Sequence, residues 1–380
     1  MSSENLFSGI FKNKTVLVTG HTGFQGAWLS IWLKSLGSNV IGYALEPPTQ
    51  PSLFETLSLE HDIKHIIGDL RDKEKLSSAI NQNKPEIIFH LGAQALVRKS
   101  YSEPLETFET NTIGTANLLE SVRNCPDVKV VVVMTSDKCY DNTHDEHPHT
   151  ENDPMGGFDP YSASKGAAEL VTSSYRNSFF NSKNLTQIAT ARAGNVIGGG
   201  DWAQDRLIPD SVRALMKNQN IKIRNPDAKR PWQFVLESVS AMLWLAVKMS
   251  DEDKFNEAWN FGPDKNYNSL QVEDIVKRTI KNWNTKCAIE IQNNPDMLHE
   301  SKYLLLDSSK ANQHLGWKNV FTIEQALSET IEWYKTYHEN KKDMKEFTMD
   351  QIKNYTSLAQ ENIFIPSACG GGGGLERPQY

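Results

Sequence analysis

Apolar and polar positions along the first half of the chain follow two alternating rhythms. Thr15-Val16-Leu17-Val18 is a short apolar run and predicts a buried strand. Phe24 to Leu36 then repeats apolar residues at helical spacing. Ala27, Trp28, Ile31, Trp32 and Leu36 share one face, and Gly37 suits the helix end. Further strand signals fall at Asn39 to Leu45, Ile66-Ile67-Gly68, Ile87 to Leu91, Val130 to Met134 and Thr186 to Ala193. Long helical patterns occupy Leu105 to Arg123 and Tyr161 to Phe179. Strands alternating with helices predict an α/β fold on a parallel, doubly wound sheet.

The rhythm changes after Gly198. Turn-rich stretches, Gly198-Gly199-Gly200-Asp201 and Asn225-Pro226-Asp227, are mixed with short helices. A smaller, lid-like, mixed α/β C-terminal region is the expectation. Ser269 is expected to cap a helix, and Ile323 to Tyr337 carries a strong apolar stripe. Glu339 to Lys345 is a charge run, expected as a solvated face or linker. The expected division is a dinucleotide-binding domain over 12–195 and a mainly substrate-binding part over 196–345, with some segments returning to the first domain. Residues 346–380 are expected to be a tail with a disordered end, since Gly370 to Gly374 has linker composition.

Composition narrows the partners. The 380 residues carry a formal net charge of −7 with no dominant basic face, which argues against nucleic acid or an anionic membrane. Met1 to Lys14 lacks the apolar core of a signal peptide, and no apolar run is long enough to span a bilayer. The four cysteines are scattered, with no C-x-x-C, so neither a zinc site nor a disulfide framework is indicated. A reduced, cytoplasmic protein is expected. His21 reads as a loop residue and His90 as a strand-end core residue. Neither has a second histidine or carboxylate at ligand spacing, so no metal is expected.

Two stretches carry chemistry. Thr19-Gly20-His21-Thr22-Gly23-Phe24-Gln25-Gly26 lies between the first strand and the first helix. Its glycines suit a tight turn, backbone approach to a pyrophosphate, and close helix–strand packing. Glu46, past the second strand, could bind an adenosine ribose and favour NAD over NADP; a solvated turn acid is the alternative. Asp69 could meet the adenine ring or simply make an Asx turn. The second stretch begins where the Val130 strand ends, at Thr135-Ser136-Asp137-Lys138, and continues at Tyr161-Ser162-Ala163-Ser164-Lys165. One helical turn puts Tyr161 and Lys165 on the same face. Beside an ammonium and a nicotinamide cation, a phenol that ordinarily titrates near pH ~10 becomes a usable base. An ordinary exposed helix face is the bland alternative.

These stretches, with Ala93-Gln94-Ala95-Leu96-Val97-Arg98, Arg192 to Trp202 and Arg230-Pro231-Trp232-Gln233, resemble the extended short-chain dehydrogenase/reductase family of nucleotide-sugar epimerases and dehydratases. The likeness covers roughly residues 12 to 340 and is strongest to the branch acting on CDP-glucose. It implies a Rossmann domain holding NAD through Gly20, Thr22, Gly23, Phe24, Gln25, Gly26, Asp69, Leu70, Leu91, Ala93, Thr135, Tyr161 and Lys165. It implies a 4,6-dehydration in which Tyr161, Lys165, Ser136, Asp137 and Lys138 are catalytic. Asp137 matches the general acid. Lys138 stands where thymidine-nucleotide relatives carry glutamate and is either the C5 base or a positioning ammonium. Ser136 binds the 4-hydroxyl or caps the strand end. Gln94, Ser136, Asn195, Arg206, Arg230 and Trp232 are the implied substrate contacts; Trp232 could instead be packing. Asn111 matches a structural position. A homodimer or higher homo-oligomer is implied. Another nucleotide-sugar dehydratase or a 4-epimerase is the near alternative, and a non-enzymatic dinucleotide sensor the distant one. Asp137-Lys138 argues against the first pair's epimerase, and the Tyr161–Lys165 pair against the sensor.

Overall fold

A computed structural model describes residues 7–142, 146–181, 186–263, 270–292 and 301–360. Its strands are β1 (Thr15–Thr19), β2 (Asn39–Ala44), β3 (Lys64–Ile67), β4 (Ile87–His90), β5 (Val130–Met134), β6 (Gln187–Ala193), β7 (Val196–Ile197), β8 (Ile221–Ile223), β9 (Gln233–Phe234), β10 (Ala258–Phe261) and β11 (Ile289–Ile291). Seven of them form one parallel sheet in the order β10-β6-β5-β4-β1-β2-β3. The order reverses at β1 and β4, where a ligand crevice opens beyond the strand ends. β8 pairs with β11, and β7 with β9.

β5 shows why its sequence is apolar throughout. Val130, Val132 and Met134 enter one core, while Val131 and Val133 enter the other. Helices cover both faces, so no position of the strand can be polar without burial cost. Helices Phe24–Ser35, Val235–Asp251 and Met344–Gln360 cover the first face; Lys73–Asn83, Gly114–Arg123 and Pro160–Phe179 cover the second.

Several expectations change. The helix expected over 105–123 starts at Pro104 and contains a π turn at Glu109–Ile113. The Ser269 cap lies outside the described residues; Gln271 and Asp274 form a capping box for the helix Val272–Trp283. Strand β10, from the C-terminal part, completes the edge of the large sheet beside β6. The chain beyond 346 does not run off as a tail: it is helical to Gln360, with Thr348, Ile352, Tyr355 and Ala359 buried. The Gly370–Gly374 run lies outside the described residues. Of the charge run, Glu339 and Lys341 are exposed as expected, but Lys345 pairs with Asp62. Among the described residues no helix is long and apolar enough to cross a membrane.

The last helix is fastened by a buried carboxylate. Glu237 Oε1 accepts from the Val320 and Phe321 amides at 2.9 and 2.7 Å, and Oε2 from the Tyr355 hydroxyl at 2.7 Å. Burial pushes Glu237 up to about 7, against those hydrogen bonds. A raised folded pKa contributes stability that is full below the unfolded value and lost as pH rises through the folded one. Glu237→Gln should therefore gain stability relative to the natural protein between about pH 5 and about pH 8. Urea midpoints of the two proteins at both pH values measure this; an unchanged difference would contradict it.

Candidate active site

The glycine loop lies at the mouth of β1. Gly20 has φ +74°, and a Cβ there would sit 2.7 Å from the Gly92 amide nitrogen. A Cβ on Gly26 would sit 2.2 Å from the Gly20 carbonyl oxygen. The loop and helix therefore approach as bare backbone, leaving helix amides facing the crevice. Thr22 Oγ1 donates to the Leu45 carbonyl at 3.0 Å, tying the loop to the end of β2. Gly23, Phe24, Leu70, Leu91, Ala93 and Thr135 all line the same cleft of about 1400 Å³. Gln25 also lines it, but its Oε1 accepts from Ser238 at 2.9 Å. Glu46 is on the cleft wall. Asp69 is there too, but is occupied by Arg71, which pairs with it at 2.6 Å and holds it below the usual carboxylate range, chiefly by side-chain hydrogen bonding.

The two histidines are structural. His21 Nε2 lies 2.6 Å from His65 Nδ1, and burial, then His65, pushes His21 down to about 3. The expectation had paired no second histidine with it, because His65 is supplied by a different strand. His90 sits between the Thr19 and Thr115 hydroxyls at 2.7 and 3.1 Å. Burial and then Lys165 push it down to about 3. Both rings are neutral at ordinary pH.

Ser136, Asp137, Lys138 and Tyr161 converge at the carboxyl end of β5. Ser136 does two jobs at once. Its Oγ accepts the Lys138 amide at 3.1 Å as a cap, donates to Asp137 Oδ1 at 3.0 Å, and is hydrogen-bonded to Tyr161. Asp137 is 2% exposed, and its Oδ2 meets no hydrogen-bond partner among the described residues. Lys138 Nζ lies 3.7 Å from Asp137 Oδ1. Asp159 caps the helix that follows, accepting from the Ser162 amide at 2.9 Å, and Pro160 occupies its first turn. That entry places Tyr161 against Ser136. Burial pushes the Tyr161 phenol up to about 12 and Asp137 adds to this; the Ser136 hydrogen bond and Arg206 pull the other way. Burial lowers Lys165 to about 8, partly offset by Glu169. Its Nζ donates to the Met134 carbonyl at 3.3 Å.

A buried network beneath these groups was not anticipated. Glu169 accepts from the Thr135 and Thr190 hydroxyls at 2.5 and 2.7 Å and from Arg192 at 2.8 Å. Arg192 also donates to the Tyr140 hydroxyl at 2.8 Å, which donates to Asn260 at 2.6 Å. Tyr161, Lys165 and Glu169 recur every four residues on one helix face, and that spacing was the available signal. Asn111 is structural as expected. Its side chain bonds both the amide and carbonyl of Gln94, at 2.8 and 3.0 Å, and the Ser164 hydroxyl at 2.9 Å. The π turn presents it there.

The expected substrate contacts divide. Gln94, Asn195, Arg206, Arg230 and Trp232 all line the cleft. Among the described residues Asn195 Oδ1 is buried without a hydrogen-bond partner, as is Trp232 Nε1. Arg206 is held by Asp201 at 3.0 Å and faces Tyr161. Gln94 differs from the expectation: its amide donates to Leu96 O and Thr107, and its Oε1 accepts the Leu96 amide. The side chain shapes its own loop. Arg230 likewise spends Nη1 on the Lys229 and Lys302 carbonyls.

Residues 17–330 match the family described as GDP-mannose 4,6 dehydratase. The chain belongs to that family. Among curated members and relatives, it is 48% identical over 364 residues to the CDP-glucose 4,6-dehydratase of Salmonella typhimurium, covering 94% of this chain and 99% of that one. It is 25% identical over 349 residues to a dTDP-glucose 4,6-dehydratase of Xanthomonas campestris pv. campestris, covering 85% and 93%. Among solved structures, the dTDP-glucose 4,6-dehydratase of Bacillus anthracis in complex with NAD superposes with a TM-score of 0.72 at 22% identity, covering 86% of this chain and 98% of that one. The UDP-glucose 4-epimerase of Thermus thermophilus in complex with NAD gives 0.73 at 21%, covering 84% and 99%. The GDP-mannose 4,6 dehydratase fold is thus common to dehydratases and epimerases.

Proposed function

We propose that this chain is an NAD-dependent lyase converting CDP-D-glucose to CDP-4-dehydro-6-deoxy-D-glucose and water. The observation that carries the reading is the Asp137–Lys138 pair seated beside Ser136 and Tyr161 at the end of β5. The near full-length likeness to a CDP-glucose 4,6-dehydratase supports the choice of nucleotide and sugar.

The glycine cradle fits a dinucleotide, since bare backbone at Gly20 and Gly26 leaves room for a pyrophosphate at the helix start. Gly20, Thr22, Gly23, Phe24, Gln25, Gly26, Asp69, Leu70, Leu91, Ala93, Thr135, Tyr161 and Lys165 would hold NAD. When bound, NAD supplies a reversible hydride acceptor, taking hydride from C4 and returning it to C6. The protein's own groups leave the Tyr161 phenol at about 12, so the cofactor's positive ring is needed to make it a base at neutral pH.

Tyr161 takes the proton of the 4-hydroxyl while Ser136 holds that oxygen. The 4-keto group acidifies the hydrogen on C5. Lys138 takes that proton, Asp137 protonates the 6-hydroxyl, and water leaves. The lysine proton then returns to C5 as C6 is reduced, and the proton held by Tyr161 passes back to Asp137 through the Ser136 hydroxyl that bonds both, so the sugar has lost one water overall and each group is restored. Asn195, Arg206, Arg230 and Trp232 are assigned to the diphosphate and base; Arg offers two parallel donors to a phosphate.

Residues 12–195 are assigned to the cofactor domain and 196–345 mainly to the nucleotide sugar. The chain is assigned to a homodimer or higher homo-oligomer. In support, helices at 104–123 and 160–179 expose Leu105, Ile113 and Leu170. A cytoplasmic setting accords with the free thiols of Cys125, Cys139 and Cys287.

Parallel incubation with CDP-glucose and with dTDP-, UDP- and GDP-sugars, each with catalytic NAD, tests the reading. CDP-glucose should yield the alkali-developed absorbance of a 4-keto sugar without net cofactor reduction. Reaction with the other nucleotides but not with CDP-glucose would overturn it.

A further inference from the structure

The segment between the catalytic turn and the Tyr161 helix overhangs the cleft at both ends, where Asp141, Asn142 and Gly157 to Asp159 line it. Residues 146–156 do not line the cleft. There the spacing His147-x-His149-x-x-x-Asp153 brings three donors together, one ligand atom from each within 4.8 Å of the others. His147 Nε2 lies 2.7 Å and His149 Nδ1 3.1 Å from the same oxygen, Asp153 Oδ2. Two imidazole nitrogens aimed at one carboxylate oxygen are nearly the edges of a coordination tetrahedron. Ligands at 2.0–2.1 Å from a zinc ion are about 3.3 Å apart in a tetrahedron, so these two separations would widen by a few tenths of an ångström while the two imidazole nitrogens, within 4.8 Å of each other, settle around the ion.

The donors are also pre-set. His149 stacks on Tyr140 with ring centroids 4.7 Å apart and planes at 7°. Its backbone is held on both sides, donating to Leu305 O and accepting from the Asp307 amide, each at 2.9 Å. Thr150 fixes the carboxylate through its amide to Oδ2 at 3.2 Å and its hydroxyl to Oδ1 at 3.0 Å. Such outer contacts orient metal ligands. Imidazole with carboxylate suits zinc, whereas magnesium prefers all-oxygen sites.

We propose that His147, His149 and Asp153 bind a zinc ion, with the remaining position open to water, and that the ion clasps this overhanging segment. None of the three lines the cleft, so the ion takes no part in the dehydration.

The test is calorimetric titration of tag-free, chelator-treated full-length protein with Zn2+, repeated with Mg2+. One Zn2+ should bind per chain, with affinity reduced at least about tenfold in His147→Ala, and Mg2+ should give no comparable binding. His147 is half exposed, so its replacement spares the core. His147→Gln, which keeps polarity and bulk, is run beside it, and circular dichroism checks both folds. Failure to bind Zn2+, or unchanged affinity in both folded variants, would overturn the proposal. Equal binding of Mg2+ would overturn the choice of metal.

Discussion

Tyr161→Phe should lower kcat for CDP-glucose by about 10²–10⁴-fold, the usual worth of a positioned acid–base group, with little change in KM. The substitution removes one oxygen and keeps the ring. Tyr161 is 8% exposed, so the ring's packing is retained. What disappears is the hydroxyl that Ser136 holds at the end of β5. Burial pushes that phenol up to about 12, and Lys165 is itself lowered to about 8 by burial. The base is therefore latent until cofactor and substrate complete the site. Steady-state kinetics with CDP-glucose measure the split: a raised KM with unchanged kcat would mean that Tyr161 only binds.

Lys138→Ala should separate the two halves of the reaction. Oxidation at C4 should survive, visible as reduced nicotinamide in a single turnover with stoichiometric NAD. The 6-deoxy product should fall by about 10²-fold or more, as expected for loss of a general base. The physical ground is location. Lys138 follows Asp137 in a short turn whose backbone Ser136 caps, so its amine reaches the acid at 3.7 Å. A quarter of its side chain is exposed to the cleft. Asp137→Asn should slow the same elimination step, because it replaces the carboxyl proposed as the acid, whose Oδ2 is buried with no hydrogen-bond partner among the described residues. Full product at the natural rate from Lys138→Ala would reduce the lysine to a positioning ammonium.

The central sheet was legible because strands buried on both faces must be apolar at every position, as in β5. Helix Lys73–Asn83 was not, since only Leu76, Ala79 and Ile80 are buried on it and most of its surface is polar. Helix Val235–Asp251 was hidden for the opposite reason. It is buried nearly all round, so it has no amphipathic stripe to read. The catalytic turn and the Tyr161 helix could be read because their spacing is local. Glu169, Arg192, Tyr140 and Asn260 could not be joined into one network, because two strands, a helix and the turn after β5 bring them together. For the same reason Gln94 read as a substrate contact. Its amide is consumed by Leu96 and Thr107, and only coordinates reveal that. His147 and His149 sit in a loop between two motifs, outside any periodic element, and attracted no expectation.

The central claim is that hydrogen leaves C4 and returns to C6 of the same sugar. The most direct measurement is turnover of CDP-glucose deuterated at C4 with catalytic NAD, followed by nuclear magnetic resonance of the product. The account predicts one deuterium in the C6 methyl group and no accumulation of reduced cofactor. Deuterium retained at C4 of an epimerised sugar, or lost from the sugar to reduced NAD, would contradict it.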